Sequence, residues 1–164
     1  MKKRWVLWLV VGVVILVFAS CLILNWSAGA YRIASGAMAP ALELQDQVLV
    51  DKLSFRLGAQ PQRGDIVTLD DPTGEYPQLI FRVIAVGGDT IDLMEGQVYL
   101  NGELLDEPYV HGKPTYPAGG LPLPAEIAQG SVFVMGDNRT NSTDGRFFGP
   151  VSVDTVTGRV FRIY

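Results

Sequence analysis

Histidine and cysteine are nearly missing from this chain of 164 residues, with one of each, His111 and Cys21. A lone thiol excludes an intramolecular disulfide. So few soft donors exclude a zinc site built from Cys and His, and no metal or other cofactor is expected. Lysine is scarce as well, occurring only at positions 2, 3, 52 and 113. Thirteen Lys and Arg face 17 Asp and Glu, a net charge of −4, so the basic footprint of a nucleic-acid-binding protein is lacking and no nucleic-acid partner is expected. Charged residues make up only 18% of the chain against 48% hydrophobic, which excludes a disordered protein.

What is present is distributed unevenly. Lys2, Lys3 and Arg4 precede an uncharged run from Trp5 to Leu24, and the next charge is Arg32. About 20 apolar residues suffice for a helix to cross the hydrocarbon core of a bilayer. Cations before the run and none just after it place a basic tip, 1–4, in the cytoplasm and the body, 25–164, outside it. The chain is thus expected to be a single-pass protein of the cell membrane. Two other readings stay open. Ala28-Gly29-Ala30 has the form of a signal-peptide cleavage site, though such peptides carry a shorter apolar core. Phe18-Ala19-Ser20-Cys21 resembles a site for lipid attachment at Cys21. All three put the body outside. Removing the three cations of the tip leaves that body with ten Lys and Arg against 17 Asp and Glu.

The body reads as mainly β. Short apolar runs at 48–50, 65–69, 79–86, 90–93, 97–100, 131–135 and 155–163 are each bounded by Gly, Pro, Asp or Asn. Asn101-Gly102 between apolar flanks predicts a tight hairpin, because both residues tolerate the positive φ of a type I′ turn. No long helical period follows the apolar run. Residues 108–124 hold five prolines and three glycines and read as an irregular loop inserted over the surface. The expectation is an antiparallel β-sheet or barrel-like domain on one N-terminal transmembrane helix.

Four segments, in order, resemble the type I signal peptidase family (peptidase S26), whose members are membrane-anchored serine-lysine endopeptidases. They are Ile33-Ala34-Ser35-Gly36-Ala37-Met38-Ala39-Pro40-Ala41-Leu42; Gln45 to Lys52 with Arg63-Gly64-Asp65-Ile66-Val67; Phe81-Arg82-Val83-Ile84-Ala85-Val86-Gly87-Gly88-Asp89-Thr90-Ile91, leading into the Asn101-Gly102 hairpin and Leu105 to Val110; and Gly136-Asp137-Asn138-Arg139-Thr140-Asn141-Ser142-Thr143-Asp144-Gly145-Arg146-Phe147-Phe148-Gly149. The resemblance implies a nucleophilic serine directly before Met38, where Ala37 stands. It implies a general-base lysine directly before Arg82, where Phe81 stands. Alanine cannot form an acyl-enzyme, and phenylalanine keeps an apolar pocket while deleting the amine that would take the hydroxyl proton. Departures at Ala41, Gln45, Gly87 and Gly145 accumulate around the same motifs.

The resemblance implies further roles. Ser35 matches a donor to the oxyanion hole, and Ile33, Met38, Leu42 and Ile80 match positions lining shallow pockets for small side chains, although these four read equally as core. Arg82, Asp137, Asn138, Ser142, Asp144 and Arg146 match residues supporting the cleft, the serine by hydrogen-bonding the lysine; turn capping and ion pairing are the alternative for this group. Replacement pairs are poor on spacing. Ser35 lies two residues from the lost nucleophile, about 6.5 Å along an extended chain, beyond the ~3.5 Å that attack tolerates. Ser35–Lys52 and Ser35–His111 are the pairs left to weigh, with Lys113 in the loop. Three functions are therefore carried forward. One is a non-catalytic homologue binding signal peptides, exported precursors, an active paralogue or an assembly or secretion partner. Another is an active signal peptidase with relocated or partner-supplied groups, and the last a structural membrane-associated β domain.

Overall fold

The computed structural model describes residues 4–72, 74–119 and 121–164, without the side chains of Arg4, Val6, Leu7 and 21–27. The apolar run forms helix α1 (Arg4–Ser27). Its described side chains from Trp8 to Ser20 are exposed apart from half-buried Gly12. Among the described residues, no helix is long and apolar enough to cross a membrane. The expected span over 5–24 lies within α1, but the side chains of Val6, Leu7 and 21–24 lie outside the described residues, as do Lys2, Lys3 and the side chain of Trp26.

The body is antiparallel β, as its alternating short runs predict. Its strands are β1 (Ala28–Arg32), β2 (Gln47–Asp51), β3 (Ile66–Leu69), β4 (Leu79–Val86), β5 (Thr90–Met94), β6 (Gln97–Leu100), β7 (Glu103–Leu104), β8 (Ala125–Glu126), β9 (Ser131–Met135), β10 (Val151–Ser152) and β11 (Val156–Ile163). Two single-turn helices, α2 (Leu53–Arg56) and α3 (Gly145–Phe148), interrupt them. Seven strands form one sheet in the order β1-β2-β11-β3-β4-β9-β10, and four form a second in the order β7-β6-β5-β8. Asn101 and Gly102 take φ of 56° and 83°, the paired left-handed conformations that the hairpin requires.

Two apolar cores result, and one pair of strands divides them. Successive side chains of a strand point to opposite faces. On β9, Val132 and Val134 enter the first core while Phe133 and Met135 enter the second. On β4, Phe81 and Val83 face the first core, and Ile84 and Ala85 the second. Two consecutive residues share a side there because the β4–β9 register shifts between Val83 and Ala85, the bend that a bulge introduces. Asp89 ties the sheets together. It accepts from Arg63 Nε (2.8 Å), Arg63 Nη2, the Val86 N–H (2.9 Å) and Asn101 Nδ2 (3.0 Å). Burial alone would raise its pKa, but the Arg63 guanidinium and the other donors outweigh burial and hold the carboxyl below its ordinary value.

The segment expected to loop over the surface is irregular and largely exposed, and it is also stitched into the second core. Val110 and Thr115 are buried, and Leu121 and Leu123 pack against the second cluster. The stitch is a long-range ion pair. Arg139, 3% exposed, donates to Glu107 Oε2 at 3.1 Å and to Thr115 Oγ1 at 2.6 Å.

Candidate functional site

The residues singled out by the sequence converge on Gly136, which directly follows β9. The Asn138 N–H donates to the Ala37 carbonyl at 2.9 Å, bringing the Ser35–Ala39 turn against the 136–138 segment. A Cβ at position 136 would overlap Ser142 Oγ and stand 2.5 Å from the Ala37 carbonyl oxygen, so only glycine permits this approach. Phe81 comes from the other side. Arg82 pairs with Met135 at the end of the β4–β9 ladder, and Phe81 and Gly136 each adjoin that pair along the chain. Its ring, 3% exposed, lies 6.3 Å from that of Phe148 at a tilt of 44°. The Ala37 methyl packs against the same cluster.

Where the resemblance implies a serine hydroxyl and a lysine amine, the site therefore holds a methyl and a phenyl. Ser142 closes on the same glycine. Its Oγ is buried and, among the described residues, makes no hydrogen bond. A hydroxyl buried without a partner keeps its desolvation cost and gains nothing in return. Ser142→Ala is thus expected to leave the unfolding free energy within about 0.5 kcal/mol of the parent, or to raise it. Urea denaturation checks this, and a loss above about 1.5 kcal/mol would mean that the hydroxyl is bonded after all.

The surrounding charges are matched one to one. Asp137 is 1% exposed and takes Arg82 in a two-point grip, Nε–Oδ1 2.8 Å and Nη2–Oδ2 2.6 Å. Burial works against the charge on Arg82, but Asp137 outweighs it and holds the guanidinium's pKa above its usual value. The same guanidinium stacks 4.1 Å from the centre of the Tyr109 ring. The Tyr109 hydroxyl donates to Glu107 at 2.9 Å, and burial, reinforced by the Glu107 charge, pushes its pKa well up. Asp144 accepts from Arg146 Nε (2.8 Å) and Nη2 (2.9 Å), from the Arg146 N–H (3.1 Å) and from the Gly136 N–H (3.0 Å). Asp144 and Arg146 thus brace the glycine on which the site converges.

Ile33, Met38 and Leu42 are 4%, 2% and 0% exposed within the first core, and Ile80 packs half-buried against it. Ser35 is exposed, and its hydroxyl makes no hydrogen bond among the described residues. Neither weighed partner is bonded to it. The Lys52 amine stacks 4.9 Å from the centre of the Tyr31 ring, and His111 is exposed in a left-handed turn with φ 51°. The lysine that does reach this region is Lys113, whose Nζ donates to Asn138 Oδ1 at 3.1 Å while Asn138 Nδ2 donates to the Gly36 carbonyl at 3.0 Å. Sequence reading missed this contact and the Glu107–Arg139–Thr115 cluster. They join residues 24 to 32 positions apart, with no local pattern to announce them.

The family model described as "Signal peptidase, peptidase S26" matches residues 2–164. The probable signal peptidase I-2 of Synechocystis sp. is 36% identical over 140 residues, which cover 82% of this chain and 62% of that protein, so the chain spans less than two thirds of that relative's length. The signal peptidase I V of Bacillus subtilis is 32% identical over 168 residues, covering 96% of each. Among solved structures, a signal peptidase I from Enterococcus faecalis superposes with a TM-score of 0.52 at 27% identity, over 63% of this chain and 98% of that one. The chain belongs to the signal peptidase family, peptidase S26.

Proposed function

We propose that this protein is a membrane-anchored, non-catalytic signal peptidase homologue. On this reading its cleft binds signal-peptide-like segments of exported precursors, alone or beside an active paralogue or an assembly partner. The carrying observation is the site itself: a methyl at 37, a buried phenyl at 81, and a Ser142 hydroxyl with no partner among the described residues. A nucleophile and a base must stand within hydrogen-bonding reach of each other, and neither group exists at these two positions. The anchor reading rests on the uncharged run from Trp5 to Leu24, on the cations before it, and on apolar side chains exposed along α1. It places the N-terminus in the cytoplasm and the β body outside.

The test uses the detergent-solubilised full chain and a labelled precursor segment containing an Ala-x-Ala site. Saturable binding with the peptide recovered uncut is the expected result. Release of mature product, abolished by Ser35→Ala, would establish an active peptidase instead. A folded protein that binds no such segment would reduce the body to a structural domain.

A further inference from the structure

Three acids around the site are paired, while Lys113 and, in the cavity it lines, Glu95 and Asp106 make no ion pair among the described residues. Glu107, Asp137 and Asp144 are each matched by an arginine, respectively Arg139, Arg82 and Arg146. Lys113 has no such match. Its ammonium makes no ion pair among the described residues and rests on a neutral amide oxygen, Asn138 Oδ1, at 3.1 Å. The other end of that amide holds the Gly36 carbonyl at 3.0 Å. One side-chain amide thus separates the cation from the turn that carries Ala37.

That turn has donors to spare. The backbone N–H groups of Gly36 and Ala37 and the Ser35 hydroxyl make no hydrogen bond among the described residues. Successive free backbone N–H groups form a concavity suited to an anion, and a nearby ammonium strengthens it. The lysine is also held from behind. Its N–H donates to the Val110 carbonyl at 3.2 Å. Two residues on, Thr115 is 2% exposed, donates its N–H to Gly96 at 2.8 Å and takes Arg139 Nη1 on its hydroxyl at 2.6 Å. Lys113 is itself exposed, and on a mobile loop such a lysine would be fully solvated and worth little. This one issues from an anchored segment, so less ordering entropy is lost when an anion arrives.

From this we infer that the site receives a peptide ending in a free α-carboxylate behind a small residue, with the carboxylate between Lys113 and the Ser35–Ala37 donors. The cleft would then hold peptides that have already been cut, in preference to chains that continue past the same residue. The inference rests on the peptide-binding reading above and specifies its ligand. An alanine at 37 leaves room that a serine hydroxyl would contest, and no bond is made or broken.

Fluorescence anisotropy on the solubilised full chain separates the possibilities. The probes are one labelled peptide ending in Ala-x-Ala as the free acid, the same peptide as the C-terminal amide, and the same peptide extended by five residues. At low ionic strength the acid is expected to bind about tenfold more tightly than the amide or the extended form. Lys113→Ala should erase that preference without weakening the amide, and Lys113→Arg should keep most of it. Equal affinity for acid and amide overturns the carboxylate inference while leaving the groove in place. Failure of all three peptides to bind overturns both this inference and the peptide-binding reading. Should Lys113→Ala misfold, the acid–amide comparison on the parent chain and the Lys113→Arg variant still decide.

Discussion

Ala37→Ser combined with Phe81→Lys is expected to restore cleavage of a precursor at an Ala-x-Ala site, with neither single change doing so. Position 37 already presents its Cβ against the first core, and a serine adds its oxygen at that atom. Position 81 is 3% exposed, so an amine placed there is stripped of water and its charged form is penalised. An amine that is neutral near physiological pH is what the hydroxyl needs as a base. Ser142 Oγ, buried and unpaired among the described residues, is the group to receive it. One positioned general base supplies roughly 10²–10⁴-fold in rate, and the double variant should exceed either single variant by that range.

Stability should follow the same amine. The native pKa of the introduced group falls below the unfolded value, so between the two the unfolded chain binds more protons. Folding of Phe81→Lys should therefore strengthen as pH rises, by about 1.4 kcal/mol for each unit of depression. The measurements are release of labelled mature product and urea denaturation at several pH values. A folded double variant that releases nothing would show that the two slots no longer face each other.

Asp144→Ala is the second large effect, and it falls on the fold. The carboxylate is 0% exposed and accepts four hydrogen bonds, three from Arg146 and one from the Gly136 N–H. Removing it strands a guanidinium, itself 6% exposed, without a counter-charge. Breaking a buried pair from one side costs about 3–5 kcal/mol. It also frees the backbone of the glycine on which Ala37 and Ser142 close. Urea denaturation read by far-UV circular dichroism should show the loss. The paired change Asp144→Ala with Arg146→Met should recover part of it, since no unpaired charge then remains. A single variant within about 1 kcal/mol of the parent would mean that Arg146 finds another partner.

Much of this architecture was legible in the residues. Most of the strands announced themselves because their apolar runs are short and sharply bounded, and the Asn101-Gly102 turn because few other residues accept two positive φ values in succession. The exceptions have physical reasons. Strand β1 reads as a small-residue site, since its Ala28-Gly29-Ala30 lacks the branched residues that mark a strand. The glycine is there because a Cβ would meet the Tyr31 ring at 2.7 Å and the Lys52 stem at 2.9 Å. Strands β8 and β10 are two residues each, too short to show a period. At the site, Ala37 and Phe81 could be located because they sit inside family motifs. The Lys113–Asn138 and Arg139–Glu107 contacts could not, because tertiary folding alone unites segments so far apart in the chain.

The strands that separate the two cores carry one more implication. Phe81 sits on β4, and Gly136 directly follows β9, so both lie along a bulkhead between two apolar compartments. Side chains along it can be exchanged, but the wall itself cannot be lost without flooding both compartments. Whatever surface ends that wall is therefore kept along with foldability itself.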